Sequence, residues 1–249
     1  MTSVPATTAG INAEFGHLIS AVGTLPEASG VLFDFNGTLS DDEGILEQLF
    51  IELAAGECGL TLTKEQYRSE LHGRSDLEIS EAIMALAGSL AVPVKGFLRL
   101  LDARYNEEIS RHSPISSDTR DLIFALHHEG LRLGIVTGAG RATVLPALER
   151  SGLLAMFGVV ISQEDVTAGK PDPEGLLKGA RALGLADTNR VVVFEDSIPG
   201  LHAVSAAGMV PVAVNGLVAR ESILPLAAVV VDRLAPGCMS MPLRPGAAL

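Results

Sequence analysis

The chain has 249 residues, 47% of them hydrophobic, with 26 glycines and 13 prolines, enough for one sizeable α/β core and a smaller second unit. Its formal net charge of −12 argues against a nucleic-acid or anionic-membrane surface, because binding there relies on clustered Lys and Arg. No Lys or Arg precedes Lys64 and no apolar run approaches the roughly 20 residues of a membrane span, so the expectation is a soluble cytoplasmic protein, a monomer or small homo-oligomer. Cys58 and Cys238 stand far apart without metal-ligand spacing and read as small hydrophobes.

Residues 1–27 form a Thr/Ala/Gly-rich extension with a possible short helix at Glu14–Val22. Val31, Leu32 and Phe33 then make a short apolar run of the buried parallel-strand kind, ending in Asp34 and followed by Asn36-Gly37-Thr38. Ser40-Asp41-Asp42-Glu43 offers an N-cap with acids in a first helical turn. Ile45, Leu46, Leu49, Phe50 and Leu53 continue it at helical spacing. Three further helix-like stretches follow, Lys64–His72, Leu77–Ala87 and Val94–Ile109, with no strand pattern between residues 40 and 115. The organisation expected is an all-helical cap, residues 43–114, inserted into a core made of residues 28–42 and 115–249.

From about residue 117 helix and strand alternate. The helices are Thr119–Glu129, Arg141–Arg150, one opened by Asp172-Pro173, Ile198–Ala207 and Arg220–Leu226. The strands are Leu131–Val136, Val159–Ser162, Val191–Phe194, Val210–Val214 and Ala228–Val231. Such alternation predicts an α/β fold with a doubly wound parallel sheet, Rossmann-like in its order. The stretch after Leu234, rich in Pro, Gly and Met, reads as loose. Asp34 with Asn36, Thr137, the Lys170 loop, and Glu195 with Asp196 all fall at strand ends, along one edge of that sheet, where open α/β sheets place their chemistry.

Four stretches carry a family resemblance: Phe33-Asp34-Phe35-Asn36-Gly37-Thr38-Leu39, Val136-Thr137-Gly138, Gly169-Lys170-Pro171-Asp172-Pro173, and Phe194-Glu195-Asp196-Ser197-x-x-Gly200. In order and separation they resemble the haloacid-dehalogenase (HAD) superfamily over residues 30 to about 215. The similarity is greatest to β-phosphoglucomutase-like and phosphoglycolate-phosphatase-like members with a helical cap after the first strand. The resemblance implies a Mg²⁺-dependent phosphatase acting on a small phosphorylated metabolite through an aspartyl phosphate on Asp34. It implies Asp34, the backbone carbonyl of Asn36 and the carboxylate of Asp196 as metal ligands, with Glu195 behind them or as an alternative ligand. Lys170 would pair with phosphate and Asp34, and Thr137 would hydrogen-bond a phosphate oxygen. Gly37, and Gly138 with the helix start after it, would let backbone N–H groups approach the anion.

One position departs from that pattern. Hydrolases of the superfamily carry a second Asp two residues after the nucleophile, a proton donor and acceptor worth roughly 10²–10⁴ in rate. Here that residue is Asn36. Three readings stay open: a substrate whose leaving group needs little protonation or a slow enzyme, a proton from His72 or Asp76 of the cap, or a phospho-ligand-binding protein without turnover. Deamidation at Asn36-Gly37 is a fourth. Dehalogenases carry Tyr at this position and phosphonate-cleaving members a small residue with a cap lysine, patterns that Asn36, Lys64 and Lys95 match poorly. A sugar-phosphate mutase or phosphotransferase is the enzymatic alternative. It is weakened by Leu46, where mutases carry His, and by His72 and Asp76, where they usually carry Lys and Arg. Arg74 and His72 are the cap's candidates for touching substrate.

Overall fold

The computed structural model describes residues 28–88 and 92–236; the Glu14–Val22 helix expected from the sequence, Cys238 and the last residues lie outside them. Six strands form one parallel sheet: β1 (Gly30–Phe33), β2 (Arg132–Val136), β3 (Val159–Ile161), β4 (Val191–Glu195), β5 (Val210–Val214) and β6 (Val229–Val231). Their spatial order is β3-β2-β1-β4-β5-β6, every neighbouring pair parallel. The chain therefore winds outward from β1 in one direction and, from β4, in the other. The carboxyl ends of β1 and β4 flank the switch point, where an open α/β sheet has its crevice.

Period-two alternation explains why both faces of β1 are buried. Val31 and Phe33 point into one apolar cluster, and Leu32 points into a second with Val136, Val191 and Val193. Phe33 stacks on Phe194 of the neighbouring strand, ring centroids 5.1 Å apart, and meets Phe157 edge-on at 6.2 Å. These rings hold the ends of β1 and β4 in register, with Phe33 opposite Phe194 and the acids that follow them side by side.

Between residues 43 and 114 the described residues contain helices and no strand of the sheet: α1 (Glu43–Cys58), α2 (Lys64–Gln66) running into a π-helical turn at Tyr67–Leu71, α3 (Asp76–Ala87) and α4 (Val94–Arg111). Phe50 packs against Tyr67 at 5.8 Å and Phe97 at 6.3 Å, tying α1, the π turn and α4 together. The two connections to the sheet touch, the Asp41 N–H donating to the Pro114 carbonyl at 3.0 Å. The remaining helices cover the sheet: α5 (Ser117–His128), α6 (Arg141–Ser151), α7 (Glu174–Ala182), α8 (Ile198–Ala206) and α9 (Arg220–Ile223), the last continued by a 3₁₀ turn at Leu224–Leu226.

Three local expectations need correction. Lys64–His72 is not one α-helix: after α2 the His72 N–H bonds to the Tyr67 carbonyl, five residues back, in a π turn that ends at Gly73 with φ of 82°. Asp42 occupies the N-cap of α1 but caps no helical amide with its side chain, which is engaged elsewhere. The cap of α7 falls at Pro173, one residue later than expected, and Asp172 instead accepts from the Glu174 N–H at 2.9 Å.

Candidate active site

Asp34 leaves β1 with its backbone N–H bonded to the Phe194 carbonyl at 2.9 Å, so its position is fixed by the sheet itself. Its carboxylate is buried and meets the Lys170 ammonium, Nζ to Oδ1 2.5 Å. Lys170 also reaches Glu195 Oε2 at 2.6 Å, so one cation bridges the acids of the two central strands. Burial opposes charge on Lys170, but Asp34 and Glu195 outweigh it and hold the ammonium protonated above its ordinary range. Burial pushes the Asp34 carboxyl up to about 7, with Glu195 adding to the rise and Lys170 opposing it.

The other Glu195 oxygen accepts from the Ser197 N–H at 3.1 Å and its hydroxyl at 2.7 Å. A side chain at Gly200 would place its Cβ 2.0 Å from the Glu195 carboxyl carbon, which gives the glycine at the end of that motif its steric reason. Both Glu195 oxygens are thus occupied. Asp196 is different: Oδ1 has only a long bond from Thr38 Oγ1, 3.4 Å, and buried Oδ2 has no hydrogen-bond partner. Burial raises the Asp196 carboxyl well above its ordinary range, with Glu43, Glu195 and Asp34 adding to it.

Asp34, Glu195 and Asp196 present carboxylate oxygens within 4.8 Å of one another. Three buried acids facing the single ammonium of Lys170 leave excess negative charge, and an all-oxygen donor set suits a hard divalent cation such as Mg²⁺. The unpartnered Asp196 Oδ2 is the atom best explained by such an ion.

Thr137, just past β2, accepts from the Ala139 N–H at 3.1 Å through its hydroxyl oxygen, which leaves the hydroxyl proton to donate into the pocket it lines. The Gly37 amide and those at the helix start after Gly138 are committed to protein acids. Gly37 N–H donates to Asp42 Oδ1 at 3.2 Å, Gly140 N–H to Asp76 Oδ2 at 3.1 Å, and Arg141 N–H to Glu164 at 3.1 Å. Gly138 instead receives the cap: its carbonyl accepts from the Asp76 N–H at 3.1 Å, and a Cβ there would sit 3.0 Å from Ser75 Cα.

Asn36 lines the same pocket, and its amide nitrogen donates to Asp42 Oδ2 at 2.9 Å. That carboxylate oxygen also accepts from Ser40 Oγ at 2.5 Å and from the Tyr105 hydroxyl on α4. With its NH₂ turned to Asp42, Asn36 offers the site its carbonyl Oδ1, an acceptor. Burial pushes the Asp42 carboxyl up to about 7, against the Ser40, Tyr105 and Asn36 hydrogen bonds.

The cap contributes His72, whose Nε2 lies 3.2 Å from Glu43 Oε2 and 3.9 Å from Asp196 Oδ2. Arg74 is exposed at the pocket mouth. Asp76 is buried at the start of α3, with burial pushing its carboxyl up to about 7, and is spent on Gly140 rather than aimed at Asp34. Sequence reasoning passed over Asp42, Glu43 and Tyr105. The first two read as helix-cap acids and the third lay unremarked within the helical stretch Val94–Ile109; the run of three acids at Asp41, Asp42 and Glu43 was the one hint.

The sequence profile described as haloacid dehalogenase-like hydrolase matches residues 31–214. The chain is 29% identical over 203 residues to a phosphoglycolate phosphatase of Salmonella typhimurium, covering 74% of this chain and 80% of that one. It is 28% identical over 204 residues to the pyrophosphatase PpaX of Halalkalibacterium halodurans, covering 76% and 86%. Among solved structures, CbbY from Rhodobacter sphaeroides in complex with phosphate superimposes with a TM-score of 0.74 over 84% of this chain and 95% of that one. At 24% identity it speaks to the fold alone.

Proposed function

The chain belongs to the haloacid dehalogenase-like hydrolase family, and on that premise we propose that it is a phosphoric monoester hydrolase for a small phosphorylated metabolite, working through an aspartyl phosphate on Asp34. The observation that carries the reading is the Lys170 ammonium held between Asp34 and Glu195 at the switch point of the sheet, 2.5 and 2.6 Å from their oxygens, with Asp196 beside them. The relatives, named as a phosphoglycolate phosphatase and a pyrophosphatase, support a small phosphorylated substrate, and the first of them a phosphate ester. Asp34, Asp196 and the backbone carbonyl of Asn36 would hold Mg²⁺, which supplies screening of the charge on the phosphoryl group. Residues 43–114 act in this reading as the cap that brings His72 and Arg74 to the mouth of the site.

In the first step the free Asp34 oxygen forms a bond to phosphorus while the ester P–O bond breaks and the leaving oxygen departs with its electron pair. Lys170 keeps Asp34 oriented and meets charge on the transferring group, and the Thr137 hydroxyl donates to one of its oxygens. In the second step water attacks the same phosphorus, the Asp34–phosphorus bond breaks, and inorganic phosphate leaves. Asn36 bonds to Asp42 through its NH₂ and has no proton to exchange, so its Oδ1 orients the water but does not deprotonate it. Two consequences follow. Substrates with stable leaving anions, acyl or anomeric phosphates, react fastest. The aspartyl phosphate is slow to hydrolyse and accumulates, which also favours handing the phosphoryl group to a second hydroxyl, as a phosphotransferase or mutase does.

The test is rapid quench with an acyl phosphate and Mg²⁺. A burst of leaving group, one per protein, with mass spectrometry locating the phosphoryl group on Asp34, is expected, and Asp34→Asn abolishes both. Undiminished phosphate release from Asp34→Asn overturns the reading.

A further inference from the structure

The geometry points to a second kind of metal ligation at the cap–core seam: Glu43, His72 and Asp196 form a mixed nitrogen–oxygen site for a first-row transition cation such as Mn²⁺, Co²⁺ or Zn²⁺. It shares Asp196 with the all-oxygen set proposed for Mg²⁺, and it does not depend on phosphate turnover.

The three residues come from three elements. Glu43 opens α1, His72 follows the π turn, and Asp196 follows β4. Their ligand atoms lie within 4.8 Å of one another. The His72 side chain is 6% exposed and that of Asp196 3%. His72 Nε2, Glu43 Oε2 and Asp196 Oδ2 are the buried side-chain atoms without a hydrogen-bond partner among the described residues, and all three face one point. His72 Nε2 and Glu43 Oε2 pair with each other at 3.2 Å when the imidazole is protonated; with the imidazole neutral, both lone pairs and the unpartnered Asp196 Oδ2 are available to one cation.

Spacing and chemistry name it. Two ligands about 2.0–2.1 Å from a tetrahedral Zn²⁺ stand roughly 3.4 Å apart. The His72–Glu43 separation of 3.2 Å matches, and the His72–Asp196 separation of 3.9 Å closes with a shift of about half an ångström. An imidazole nitrogen is a poor ligand for Mg²⁺ and a good one for borderline transition ions. Two carboxylates and a neutral imidazole carry the charge that a divalent ion cancels. Three protein ligands leave further coordination positions open, the arrangement of sites that do chemistry rather than hold a fold. Gly37 keeps the space clear, since a Cβ there would lie 2.3 Å from Asp196 Oδ2 and 2.9 Å from Glu43 Cγ.

The full chain, stripped with a chelator, is titrated with Co²⁺ and Zn²⁺ by calorimetry and with Mn²⁺ by electron paramagnetic resonance. Expected are tighter binding of Co²⁺ and Zn²⁺ than of Mg²⁺ and nitrogen coupling in the Mn²⁺ spectrum. His72→Ala removes that coupling and weakens Co²⁺ and Zn²⁺ at least about tenfold while leaving Mg²⁺ affinity within about twofold. Glu43→Gln, which keeps size and fold, weakens the transition ions in the same way. Equal Co²⁺ affinity in wild type and both variants, or no nitrogen coupling, overturns the assignment. So does an absence of transition-ion binding accompanied by lower stability of His72→Ala in chelator, which marks the cluster as an imidazolium–carboxylate ion pair. Absence of Mg²⁺-dependent phosphate release from the wild type with transition-ion binding intact would instead sink the hydrolase reading.

Discussion

Asn36 donates a hydrogen bond to Asp42, and reversing donor and acceptor is the sharpest test of the site. Asn36→Asp puts a carboxylate oxygen in the place of an amide nitrogen that sits 2.9 Å from Asp42 Oδ2. Two full charges at that distance repel by about 6 kcal/mol at an effective dielectric of roughly 20. The pair therefore holds one shared proton across neutral pH and titrates as a dyad rather than as a catalytic acid poised for release and recapture. The single variant gains little at pH 7. Asn36→Asp with Asp42→Asn restores the hydrogen bond with donor and acceptor reversed. The side-chain amide introduced at position 42 then donates to the new carboxylate, and its carbonyl still receives the Gly37 N–H. That carboxylate is free to give and take a proton, so a gain of about 10²–10³ in the slow hydrolytic step is expected. Steady-state phosphate release from pH 5 to 9, with the fraction of phosphorylated Asp34 measured alongside, reads it. A full gain from Asn36→Asp alone, with nothing added by the second change, refutes the argument that Asp42 governs this position.

Two further outcomes follow from the same buried charges. Lys170→Met leaves Asp34 and Glu195 without their shared ammonium, so the metal-free chain loses on the order of 3–5 kcal/mol by urea denaturation, and added Mg²⁺ recovers part of it. An unchanged urea midpoint in chelator would show that the bridge carries no stability. Asp76 is protonated in the folded chain up to about pH 7 but only up to about 4 when unfolded, so between those values the folded state binds more protons and stability falls as pH rises. Asp76→Asn, which still accepts from Gly140, removes a loss of up to about 4 kcal/mol over that interval, and parallel pH–stability curves for the two proteins would contradict it.

Most of the sheet and much of the site were legible in the sequence because both obey local rules. Apolar runs ending in Asp34, Thr137 and Glu195-Asp196 specify buried parallel strands, and parallel strands deliver their carboxyl ends to one edge. Lys170 joins them from a loop, a pairing with Asp34 that the family resemblance implied and strand periodicity alone would not have given. What stayed hidden depends on partners distant in sequence. Asp42 fails to cap α1 because Asn36, Ser40 and Tyr105, the last 63 residues away, all present donors to it. The amides at Gly140 and Arg141 are taken by acids from α3 and from the segment after β3. The π turn that delivers His72 has a five-residue hydrogen-bond register that side-chain periodicity does not display.

The hydrogen bond from Asp41 to Pro114 fastens the two connections between helices and sheet to each other. The Asn36–Asp42–Ser40 cluster lies next to this junction in the chain, while His72, Ser75 and Asp76 meet the sheet's polar edge elsewhere, at Asp196, Gly138 and Gly140. The helical unit is therefore tied to the sheet twice, once by a backbone junction and once by a polar seam. A substitution in the seam leaves the junction in place, and with it Asp34, which the sheet itself anchors.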